Sequence, residues 1–134
     1  MKKSIRSQEL PGLIADIPAS VRILSLDCFD TLVWRDVHAP VDVFADLPLD
    51  GGAVEPRSRA EAAARVALRA TSGSTEVSIR QIHERLRPEG DAAVAASIAE
   101  EIAAEHRHCY GFTPTAELIR TAKASGLQVI IVSD

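Results

Sequence analysis

The chain has 134 residues, enough for one ordinary domain, and its 46% hydrophobic and 25% charged content is that of a folded protein. The net charge is −4, with no basic block and no apolar stretch of bilayer length, so neither nucleic acid nor a membrane is an expected partner. Aromatic residues make up only 4%, so the core has to rest on Ile, Leu, Val and Ala.

The first twenty residues are mixed in character and broken by Pro11 and Pro18, and they read as a leader that packs on the surface or frays. Their basic start, Met1 to Arg6, is followed by no apolar run, so no signal peptide is expected. Cys28 and Cys109 show neither metal nor disulfide spacing, and a reduced cytoplasmic setting is the expectation. Val21 to Leu26 is a short apolar run of β-formers that suits a buried parallel strand. It ends in a polar cluster, Asp27 to Thr31.

The middle of the chain is helical in pattern. Ala60, Ala63, Ala64, Ala67 and Leu68 recur at helical spacing over about 57–70, and the charges from Arg57 to Arg69 read mostly as a solvated face. Thr71 to Thr75 reads as a linker, and Ser78 with Gln81 as a capping box opening a short helix through Leu86. Val94, Ile98 and Ile102 then stripe another helix, with Glu100 and Glu101 expected outward. Thr113 and Pro114 open a helix whose inward residues are Leu118, Ile119 and Ala122, and Gly126 stops it. A second apolar strand, Leu127 to Val132, runs directly into Ser133 and Asp134. This order predicts an α/β fold, a βαβ crossover between parallel strands with a helical subdomain inserted after the first.

Ligands in open α/β sheets gather at the carboxyl ends of the strands. Asp27 stands at such an end, where a carboxylate can serve as a nucleophile or as a hard-oxygen ligand for Mg²⁺. The plainer reading makes Asp27 to Thr31 a turn with a helix cap. Cys28, between Asp27 and Asp30, is a poor nucleophile because like charges disfavour its thiolate. His106, His108 and Cys109 read as a solvated helix end. His38 and His83 carry no assigned role. Arg35 could reach a substrate anion or simply join a surface ion pair.

The string Leu24-Ser25-Leu26-Asp27-Cys28-Phe29-Asp30-Thr31-Leu32 resembles the first motif of the haloacid dehalogenase-like (HAD) hydrolase superfamily. Val129-Ile130-Ile131-Val132-Ser133 resembles the second, an apolar strand ending in a hydroxyl that binds the transferred phosphoryl group. Trp34-Arg35, with Arg59, Glu61, Ala62 and Arg65, match a bacterial HAD-like subgroup, and the resemblance spans about residues 21–134. It implies a partial Rossmann-like core of 21–36 and 113–134, with strands at about 21–27 and 127–132, and a helical cap insertion over 37–112. It also implies a Mg²⁺-dependent phosphatase acting on a small phosphorylated metabolite through an aspartyl phosphate. The implied catalytic residues are Asp27, Ser133, Asp30 and Thr31, the last as the residue that caps and orients the loop. The implied metal ligands are the Asp27 carboxylate and the Phe29 carbonyl.

The sequence departs from that pattern in two ways. Phosphatases of the superfamily usually place a general acid two positions after the nucleophile, where this chain has Phe29; Asp30 is one place too far. Loss of a general acid typically costs about 10²–10⁴-fold. Dehalogenase-type members also lack that acid, which keeps a carbon–halogen hydrolase as an alternative. The family's third motif, a Lys or Arg, and its fourth, an acidic pair, have no counterpart here; Lys123 lies on the crossover helix before the second motif. Both are expected beyond residue 134, so the chain is expected to be inactive alone. A non-catalytic fragment or binding module is the reading from another class.

Overall fold

The computed structural model describes residues 5–49 and 51–133. The basic start at 1–4 and the Asp134 that follows Ser133 lie outside them. Among the described residues the chain is mixed α/β and divides into two compact units, Met1–Asp36 with Cys109–Asp134, and Val37–His108. No helix among them is long and apolar enough to cross a membrane.

In the first unit, β1 (Ile23–Leu26) lies parallel to β4 (Gln128–Ile131), with Ile23 opposite Gln128 and Leu26 opposite Ile131. The parallel pairing and the intervening helix are the βαβ arrangement that the element order predicts. Leu24, Leu26 and Val129 turn one face of this pair toward Ile14, Leu118 and Ala122. Ile14 comes from a 3₁₀ segment, Ser7–Asp16, so the expected leader packs on this unit and contributes one buried residue to its core, with Ile17 beside it. Leu118 and Ala122 come from the helix Thr113–Ala124. That helix ends where Gly126, at φ 82°, supplies the left-handed turn, and Leu127 N–H donates to the Ala122 carbonyl. On the opposite face Ile23 is 51% exposed and Val132 59% exposed, although parallel strands are ordinarily covered on both sides.

The same unit holds a ribbon that the sequence pattern does not announce. β2 (Val33–Arg35) pairs antiparallel with β3 (Cys109–Gly111), Trp34 standing opposite Tyr110. Cys109 to Gly111 therefore belongs to the first unit, whereas the sequence pattern runs the helical insertion on to residue 112. Trp34 stacks on Phe112 at 4.7 Å between centroids.

The second unit is helical. A 3₁₀ segment, Pro40–Asp46, is followed by α1 (Val54–Ser72), α2 (Ile79–Leu86) and α3 (Asp91–His108), so the helix Thr113–Ala124 is α4. The expected linker begins late: Thr71 and Ser72 complete α1, and Gly73 at φ 75° ends it. The Ser78–Gln81 capping box is present, Ser78 Oγ accepting from Gln81 N–H at 3.2 Å and Gln81 Oε1 from Ser78 N–H at 2.8 Å. Two apolar clusters hold the unit: Val43, Leu47, Ala53 and Ala104 in one, and Ala60, Ala64 and Ile82 in the other.

Two expectations about these helices are corrected. Arg57 is not on a solvated face but 4% exposed, and Glu101 points inward at 5% exposed while Ile102 is largely outside. The cause is a buried ionic pair. Arg57 Nε and Nη2 donate to Glu101 Oε2 and Oε1 at 2.6 and 2.8 Å, a two-pronged contact that makes burial of both charges tolerable. His83, to which the sequence pattern assigns no role, is completely buried between Glu101 Oε2 at 2.8 Å and Ser97 Oγ at 2.9 Å. The α3 face that packs is thus Val94, Ser97, Glu101 and Ala104.

Candidate active site

Asp27 follows the last residue of β1, and Ser133 stands two residues after the last of β4. The strands are parallel, and Val132 N–H donates to the Leu26 carbonyl at 2.9 Å. Continuing the register by one residue sets Asp27 beside Val132, with Ser133 next along. The geometry therefore brings both predicted residues to one edge of the sheet, the carboxyl edge. Both are exposed there.

The loop after Asp27 is tightly wound. The Cys28 carbonyl accepts from Leu32 N–H at 2.8 Å and Val33 N–H at 2.9 Å, and Asp30 N–H donates to the Val33 carbonyl at 2.9 Å. Asp30 closes the turn at φ 55°, a left-handed conformation that costs most side chains but that Asp and Asn tolerate. Its place in the motif is therefore explained by backbone shape as well as by charge. Asp27 Oδ1 accepts from Cys28 N–H at 2.7 Å, a contact that fixes the carboxylate against its own loop. Thr31 is half-buried inside the loop, as suits a residue that orients it.

Phe29, two residues past Asp27, bridges to Val33 and carries the Arg35 guanidinium 4.1 Å above its ring centroid. Sequence alone leaves Arg35 open between a substrate anion and a surface ion pair. The β2–β3 pairing that fixes its backbone joins residues far apart in the chain, so local pattern gives no sign of its seat on Phe29.

The hard-oxygen donors that the resemblance implies, the Asp27 carboxylate and the Phe29 carbonyl, are of the type Mg²⁺ selects, but two donors do not fill an octahedral shell. Among the described residues no group of three or more His, Cys, Asp or Glu is arranged to hold a metal ion. His108 instead lies 3.1 Å from Asp46, and Arg107 also donates to that carboxylate at 3.2 Å. Hydrogen bonds from His108 and then Arg107 hold the Asp46 carboxyl below its ordinary value.

Two shallow depressions lie elsewhere, in the second unit. One of about 310 Å³ is lined by Ala64, Leu68, Gln81 and Arg85, the other of about 340 Å³ by Ala45, Gly52 and Pro56. Neither gathers the predicted site residues. No protein-family model matches the chain, and a search of curated proteins finds no match.

Proposed function

We propose that the chain carries the nucleophile side of a HAD-like hydrolase site on a partial Rossmann-like core, with Val37–His108 as the helical cap. The observation that supports this most is the β1–β4 register, which sets the motif's Asp27 and Ser133 on the same carboxyl edge of parallel strands. In this reading Asp27 attacks the phosphorus of a small phosphorylated metabolite and expels the leaving alkoxide. The Ser133 hydroxyl donates to an oxygen of the transferring group, and water then cleaves the aspartyl phosphate at phosphorus. Asp30 and Thr31 hold the loop in shape. Mg²⁺, when bound, would offset phosphoryl charge, with the Asp27 carboxylate and Phe29 carbonyl among its ligands.

One observation favours a second reading. Phe29 fills the position of the usual general acid, and its hydrocarbon side chain has no proton to give. Attack of Asp27 on a carbon–halogen bond needs no such proton, because halide leaves as an anion.

The experiment measures phosphate release from an aryl phosphate and halide release from a 2-haloacid, with and without chelator. The gene is read past codon 134 so that the assayed protein includes whatever follows. The account expects phosphate release that chelator abolishes and that Asp27→Asn removes. Metal-independent halide release would move the assignment to the dehalogenase reading. Phosphate release unchanged in Asp27→Asn, without deamidation back to Asp, would end the nucleophile assignment.

A further inference from the structure

We draw no further inference here: the strongest candidate, the aromatic face of the β2–β3 ribbon, where Trp34 and Tyr110 stand opposite one another 37% and 49% exposed and Trp34 stacks on Phe112, carries nothing because nothing in the structure shows what covers it.

Discussion

Replacing Glu101 by Gln tests the physical core of the helical unit. Glu101 Oε2 accepts from both Arg57 Nε and His83 Nε2, and Oε1 accepts from Arg57 Nη2. A Gln side chain turns one of those oxygens into an NH₂ donor. In its better orientation it keeps two acceptor contacts and sets donor against donor at Arg57 Nη2. It also removes one of the two carboxylates that face a guanidinium that is 4% exposed, leaving Glu61, 3.0 Å from Arg57 Nη1, as its counter-charge. Removing one partner of a buried ion pair costs about 3–5 kcal/mol where the other charge is left uncompensated, so with Glu61 in place the expected loss is about 2–3 kcal/mol, still a large part of the about 5–15 kcal/mol that stabilises an ordinary domain. Urea unfolding followed by far-ultraviolet circular dichroism gives the size, and hydrogen exchange of α1 and α3 amides gives the place. The pH dependence supplies an independent sign. Burial alone would raise the Glu101 carboxyl, but hydrogen bonds from Arg57, the Arg57 charge and then His83 outweigh it, so the carboxyl is held below its ordinary 4.5. Its contribution is therefore present above about pH 4.5 and is lost as pH falls through the depressed value; the Gln variant should lack that part of the acid transition. A loss under about 1 kcal/mol, the range of exposed pairs, with an unchanged acid profile, would refute the reasoning.

Other perturbations have defined outcomes. Ser97→Ala leaves His83 Nδ1 without its partner and should cost about 1–3 kcal/mol in the same urea experiment. Asp30→Val should lower stability by about 1–2 kcal/mol through its left-handed backbone, while Asp30→Gly should hold or raise the melting temperature. Ile130→Thr with Val132→Thr, on the open face of the parallel pair, should change stability by no more than about 0.5 kcal/mol each and reduce self-association by light scattering.

The strands, the capping box and the Gly126 stop are legible in the sequence because each is a local arrangement: an apolar run, a spacing of three residues, a backbone position that wants glycine. The β2–β3 ribbon is not, since three-residue strands carry no alternation and their pairing joins Val33 to Gly111 across the whole helical insertion. The α3 face is misphased for a related reason. Residue type argues for Glu101 outside and Ile102 inside, and only a partner 44 residues away reverses that preference. At the candidate site, the positions of Asp27 and Ser133 just past two parallel strands are legible because each follows an apolar run. The shape of the Asp30 turn and the seating of Arg35 on Phe29 depend on three-dimensional closure that no window of sequence contains.

The central claim, that Asp27 is a covalent nucleophile, is tested most directly by trapping. Protein quenched during turnover of an aryl phosphate is reduced with borohydride, which converts an aspartyl phosphate to homoserine, and the peptides are mapped by mass spectrometry. The account predicts homoserine at position 27, dependent on substrate and Mg²⁺. Turnover with an unmodified Asp27, or with the label on another carboxylate, would contradict it.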